Sequence, residues 1–262
     1  MEKQMVSSLS REQIERYERD GFVHPIRIMS TGEAQKFRAG FEELETLLGR
    51  RVEYAAMTHL FFRWAFDLST QPGILNAVQA ILGPEVLVQA TLILCKHAHD
   101  PSFVSWHQDY KYTSRESAPT VSAWVAISDS TRASGCMRAI PGSHRDGIQP
   151  HKATAIENNI LTYSLDADDS RAKDIELKSG EMSLHQANIV HGSLANDSDD
   201  KRIGFIVRFV TPQFQKTINP VVRARGRDEC GQLTIWPHSP TDDMKETLSA
   251  WQEFVRERNL LR

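Results

Sequence analysis

Cysteine is scarce in this chain: there are three among 262 residues, and Cys95, Cys136 and Cys230 stand at no metal-type spacing. Reduced, buried thiols in an intracellular, cytoplasmic setting are therefore expected. Long apolar runs are missing as well. Nothing approaches the roughly 20 residues needed to cross a bilayer, and the opening MEKQMVSSLSREQIERYERDGF has no apolar stretch of the signal-peptide kind. Neither sign of charge dominates: 31 Lys+Arg against 34 Asp+Glu leave a formal −3. With no basic run, a nucleic-acid partner held by charge is argued against. Internal repeats and low-complexity linkers are also absent, so one domain over 1–262 is expected.

What is present divides in two. Up to about residue 85 the chain reads as mainly helical. Ser10 and Gln13 fit a capping box for a helix running to Asp20-Gly21. Thr31 to Gly49 carries Ala34, Phe37, Phe41, Leu44 and Leu48 at helical spacing, and Gln71 to Leu82 carries Ile74, Ala77, Val78, Ile81 and Leu82. From about 86 to 212 the texture is of short strands between Asp-, Ser- and Gly-rich turns. The clearest are Val86–Cys95, Val121–Ile127, Cys136–Ile140, Glu181–His185 and Ile203–Thr211. In the remaining segment, 213–262, Thr241 or Asp242 caps a closing helix with Leu248, Trp251 and Val255 as its buried stripe. Helices followed by many strands predict a mainly β fold, a sandwich or barrel with a helical buttress.

The chemistry concentrates in Trp106-His107-Gln108-Asp109. On an extended strand, positions i and i+2 share a side, so His107 and Asp109 can offer an imidazole nitrogen and a carboxylate oxygen to one ion. His191, in Ile189-Val190-His191-Gly192-Ser193, supplies a third donor. Two histidines and one carboxylate make the facial triad of non-haem iron(II) oxygenases, which keeps coordination positions open; zinc accepts the same donors. Arg202 then opens the strand Arg202-Ile203-Gly204-Phe205-Ile206-Val207-Arg208. Its guanidinium can clamp a carboxylate with two parallel hydrogen bonds, as the distal end of 2-oxoglutarate requires while its keto-acid end chelates iron.

Taken together, Trp-His-Gln-Asp, Ala123-Trp124, Gly135-Cys136, Pro141-Gly142-Ser143-His144, His191-Gly192-Ser193, Asn196 and Arg202 resemble the phytanoyl-CoA hydroxylase family of iron(II)/2-oxoglutarate oxygenases. The resemblance covers about 105–212, with Asp20-Gly21-Phe22 similar to that family's opening. It implies a double-stranded β-helix (a cupin-like jelly roll) and iron(II), 2-oxoglutarate and O2 as cofactor and co-substrates. It also implies metal ligands His107, Asp109 and His191, with Arg202 and Ser193 on the distal carboxylate and Trp124 lining that pocket. Asn196 and the turn Pro141–His144 are expected to shape loops. In members of the family that halogenate, a small residue replaces the carboxylate ligand; Asp109 is kept here, so hydroxylation or a related oxidation is expected.

Strand parity nominates further residues. If 181–191 were one uninterrupted strand, His185 would face the same side as His191; likewise Arg208 faces with Arg202. An inward arginine needs an acid, from the substrate or from the protein. Lys96 and Lys111, with His97, His99, Tyr110 and Tyr112, are candidates for a polar entrance. Arg208, His185, Lys96 and Lys111 thus stand as candidate substrate contacts, for a small, anionic or carrier-linked metabolite; Phe61, Phe62 and Phe103 would suit a large apolar one. Two rival readings use the same ligands: a zinc hydrolase or isomerase on a cupin-like barrel, and a non-catalytic metal or ligand sensor. Oligomeric state is not legible.

Overall fold

Ser10 accepts a hydrogen bond from the Gln13 amide while the Gln13 side chain accepts one from the Ser10 amide. This capping box starts helix α1 (Arg11–Asp20), which ends on Gly21 in the left-handed region at φ 84°. Ser30 and Glu33 form a second box, unforeseen above, at the start of α2 (Thr31–Leu48). Helices α3 (Arg63–Ser69), α4 (Pro72–Leu82) and α5 (Met244–Glu257) follow; Asp243, rather than Thr241 or Asp242, caps the last. The computed structural model describes residues 8–109, 119–213, 219–227 and 233–260.

The helical N-terminal part also holds two strands, β1 (Phe22–Arg27) and β2 (Tyr54–Ala56). Pro25 lacks an N–H for a ladder, which confines β1 to a sheet edge, and its register breaks between Val23 and Ile26. The strands that follow are β3 (Val86–Lys96), β4 (Val104–His107), β5 (Thr120–Ala126), β6 (Met137–Ala139), β7 (Lys152–Ala153), β8 (Tyr163–Ser164), β9 (Lys173–Ile175), β10 (Glu181–Gln186), β11 (His191–Ser193), β12 (Arg202–Val210) and β13 (Val222–Arg225). A major sheet runs β1-β10-β5-β12-β3-β13, with β2 also on β3; a minor sheet runs β4-β11-β6-β9; β7 and β8 pair separately.

Side-chain alternation separates two interiors. Ile203, Phe205, Val207 and Phe209 of β12 join Val121, Ala123 and Val125 of β5 and Met182 and Leu184 of β10 in the large core under the helices. There they meet Phe41, Leu44, Leu68, Ile74 and Trp251. The residues between them face the minor sheet, where Trp124, Ala126 and Ile206 pack against Met137, Ala139 and Ile189. Two facing antiparallel sheets with a helical buttress on one outer face are the jelly roll expected, and the gap between the sheets holds the site.

Candidate metal and co-substrate site

His191 and His107 stand directly opposite each other on β11 and β4, their ring centroids 4.1 Å apart. Strand β4 ends at His107, so Asp109 reaches the pair from the turn beyond the strand, and its Oδ1 lies 3.8 Å from His107 Nε2. Ligand atoms of all three lie within 4.8 Å of one another, in buried side chains. Each imidazole is oriented by its own chain: His107 Nδ1 lies 2.9 Å from the Ser105 carbonyl and His191 Nδ1 3.1 Å from that of Ile189. Donation there would leave both Nε2 lone pairs free for a metal ion. Between the ligands Gln108 points away from them, donating to the Gly147 and Asn188 carbonyls and accepting from Gln149 N; it ties the ligand turn to two neighbouring loops.

The protonation states suit a divalent cation. Burial and the neighbouring His107 push His191 down to about 3, and burial lowers His107 too, so both imidazoles are neutral. Burial alone would raise the Asp109 carboxyl. Arg208, then His185 and the two histidines, outweigh it and hold the group well below the usual carboxylate range. Two neutral imidazoles and one carboxylate fit iron(II) as a donor set and leave positions open.

A row across the major sheet fixes the far oxygen of that carboxylate. Arg208 on β12, Ser122 on β5 and His185 on β10 are ladder neighbours. Arg208 Nη2 reaches Asp109 Oδ2 at 3.1 Å, Ser122 Oγ lies 3.4 Å from the same atom and His185 Nε2 3.9 Å. The acid that Arg208 needed is thus Asp109, and Arg208 gives no argument for an anionic substrate. His185 and His191 do come together, with ring centroids 5.2 Å apart, but the uninterrupted strand assumed above does not exist. The chain turns between β10 and β11, so the two histidines meet across the gap from opposite sheets.

Toward the other end of the gap the cations have no acid within ion-pair distance among the described residues. Arg202 is 2% exposed, its Nε and Nη2 have no hydrogen-bond partner among the described residues, and its guanidinium carbon sits 5.4 Å from the centre of the Trp124 ring. Gly204, two residues along β12, makes room for that ring: a Cβ there would collide with Trp124 Cζ2. Lys96, opposite Arg202 in the ladder and fully buried, donates to Ser193 Oγ at 2.8 Å and to the Leu194 carbonyl. It is therefore no part of a solvated entrance. Unpartnered guanidinium nitrogens in a buried pocket fit a carboxylate brought from outside.

Other expectations fall elsewhere. His97 lies against Glu45 and His99 against Asp199, away from the triad. Phe61 and Phe62 are packed into the helix-side core against Trp236, Phe254 and Trp251. Lys111, with Tyr110 and Tyr112, lies outside the described residues. The row around Asp109 Oδ2 was missed in the sequence for Ser122, although the parity that selected Arg208 and His185 would have found it once the strands were paired.

The family model described as Phytanoyl-CoA dioxygenase (PhyH) matches residues 17–204. Bovine "Phytanoyl-CoA dioxygenase, peroxisomal" is 26% identical over 74% of this chain and 66% of its own length, so the match spans just under two thirds of that relative. The solved structure "non-heme monooxygenase; ThoJ apo" superposes with a TM-score of 0.80 at 28% identity, covering 94% of this chain and 95% of that one. "CytC3 with Fe(II) and alpha-ketoglutarate" superposes with a TM-score of 0.65 over 87% and 93%; at 21% identity it speaks for the fold alone. The family match and the facial triad agree: the chain belongs to the phytanoyl-CoA dioxygenase family of non-haem iron(II)/2-oxoglutarate oxygenases.

Proposed function

We propose that the protein hydroxylates an unactivated C–H bond of a small metabolite or biosynthetic intermediate, consuming 2-oxoglutarate and O2 and releasing succinate and CO2. One observation carries this: the gap between the sheets has a balanced carboxylate-imidazole triad at one end and, at the other, the buried guanidinium of Arg202, whose Nε and Nη2 have no partner among the described residues. His191 and Ser193 are two residues apart on β11, roughly 7 Å along a strand. A five-carbon keto diacid can bridge from metal to Arg202 and Ser193 over such a span. Bound iron and co-substrate supply the oxidising chemistry; the protein's own groups do the rest. His107, Asp109 and His191 would hold the ion. Arg202 and Ser193 grip the distal carboxylate, Trp124 walls that pocket, and the packed inner faces of the sheets keep water from the reacting centre.

Asp109 bears on the outcome of the reaction. Its Oδ1 lies beside His107 Nε2 while Arg208 holds Oδ2, so Asp109 would fill the position that a halide would need, and the reading is oxygenation.

The test is anaerobic addition of iron(II) and 2-oxoglutarate to metal-free protein, watching for the weak visible charge-transfer band of a keto-acid chelate. The band should form in the native protein, and Arg202→Ala should need far more 2-oxoglutarate to form it. A native protein that binds iron and gives no band would sink the reading and leave the zinc hydrolase or sensor alternatives. Succinate release then serves to screen substrates.

A further inference from the structure

Lys96 and Arg202 place two basic side chains side by side in the protein interior. They are ladder partners on β3 and β12, with 0% and 2% exposure. Among the described residues neither has a carboxylate within ion-pair distance. What faces Lys96 is Arg202 from β12, Ser193 Oγ and the Leu194 carbonyl at the end of β11, and, at longer range, Cys136 before β6 and Asp100 after β3. Cys136 does not offset the charge, since burial pushes its thiol up to about 11. One buried cation without a counterion is costly; two adjacent ones are costlier.

We propose that Lys96 is a second, proton-switched cation of the distal-carboxylate subsite, uncharged before 2-oxoglutarate binds and taking up one proton as the dianion arrives. The Lys96 amine hydrogen-bonds Ser193 Oγ, the hydroxyl proposed to touch that carboxylate, so its charge sits one hydroxyl away from the incoming anion. Ser193 Oγ and the Leu194 carbonyl partner the amine in either state, as a neutral amine still donates to a carbonyl and accepts from a hydroxyl. Burial, and then Arg202, push the ammonium down to about 6, so near neutral pH most of the group is unprotonated. An arriving carboxylate reverses both causes: it offsets Arg202 and pairs with the new charge.

The linkage has a definite sign. A group whose pKa rises on binding takes up a proton above its lower value, so 2-oxoglutarate affinity falls as pH rises above about 6. The fall approaches about tenfold per pH unit until the bound-state value is reached. Arg202, charged throughout, gives no such slope.

This inference rests on the proposed Arg202 subsite, and the test separates the two. Iron(II)-loaded native protein is titrated anaerobically with 2-oxoglutarate by calorimetry, at pH 6.5, 7.5 and 8.5, in two buffers of different ionisation enthalpy at each. The same is done for Lys96→Met and Lys96→Arg. Native protein should take up close to one proton per 2-oxoglutarate, and its affinity should fall with pH. Lys96→Met should take up almost none and bind roughly tenfold or more weakly at pH 6.5. Lys96→Arg should restore binding without proton uptake and with a flat pH profile. Pyruvate, which has no distal carboxylate, should bind weakly with no uptake in any of the three. Tight 2-oxoglutarate binding without proton uptake by native protein, or with uptake persisting in Lys96→Met, overturns the role of Lys96 and leaves Arg202 untouched. Equal binding of pyruvate and 2-oxoglutarate overturns the subsite itself, and Lys96 with it.

Discussion

Arg202 and Arg208 lie on one strand, six residues apart, on the same inward face, and both are buried. Arg208 meets Asp109 at 3.1 Å, a counterion built into the protein; Arg202 meets an indole face and has two unpartnered nitrogens. An internally balanced charge is structural, here setting the position of a metal ligand. An unbalanced one stores a desolvation cost that only a ligand of opposite sign relieves. On the proposed function, the same residue type thus serves support in one place and recognition in the other, and what distinguishes them is whether the described chain supplies the acid.

The strongest way to break that comparison is to remove each guanidinium in turn. Arg208→Met leaves Asp109 as a buried carboxylate without its main partner, and the metal-free protein should lose about 3–5 kcal/mol in denaturant unfolding. Arg202→Met should cost nothing there, or add stability, because no acid is left behind. Equal losses would show the two to be alike. Almost as large is the effect of Arg202→Met on 2-oxoglutarate affinity, about 2–5 kcal/mol by calorimetry on the iron-loaded protein, with iron stoichiometry unchanged. Gly204→Ala sharpens the recognition end. The added methyl displaces Trp124, so a loss of about 1–3 kcal/mol in stability should come with a shifted indole emission and weaker 2-oxoglutarate binding. Ser122→Ala sharpens the support end with the smallest change. At 3.4 Å its hydroxyl is a poor donor to Asp109 Oδ2, so about 0.5 kcal/mol of stability is expected to go, and iron affinity should move little beside the Arg208→Met effect.

Local signals in this sequence carried the elements that local chemistry determines. The Ser10/Gln13 box, the Gly21 and Gly49 stops and the strands β3, β5, β6, β10 and β12 lie within a residue or two of where composition and periodicity put them, while the short strands β4, β7, β8, β9, β11 and β13 were given no bounds from the sequence. The two N-terminal strands were illegible for different reasons: β1 contains Pro25, and β2 has three residues, too few to show alternation. In the site, the triad was readable because each ligand sits in a short motif. The partner of Arg208 was not readable, since an inward arginine calls for an acid without saying which. The meeting of His185 and His191 was anticipated through a strand that turns out to be two, and the right proximity came from the facing of the two sheets. Lys96 was placed at an entrance because sequence parity cannot show depth; its burial depends on the β11 loop folding over the end of β3.

Strand β12 interleaves site and scaffold one residue at a time: Arg202, Gly204, Ile206 and Arg208 border the gap, while Ile203, Phe205, Val207 and Phe209 hold the helices. For anyone redesigning this enzyme the strand is therefore two separate alphabets written on one line. Exchanges at the even positions can retune what the cavity accepts while the buttress is left intact. A single-residue insertion or deletion before Arg208 is a different matter. It would swing the arginine under the helices and a phenylalanine or valine toward the metal, undoing recognition and packing in one step.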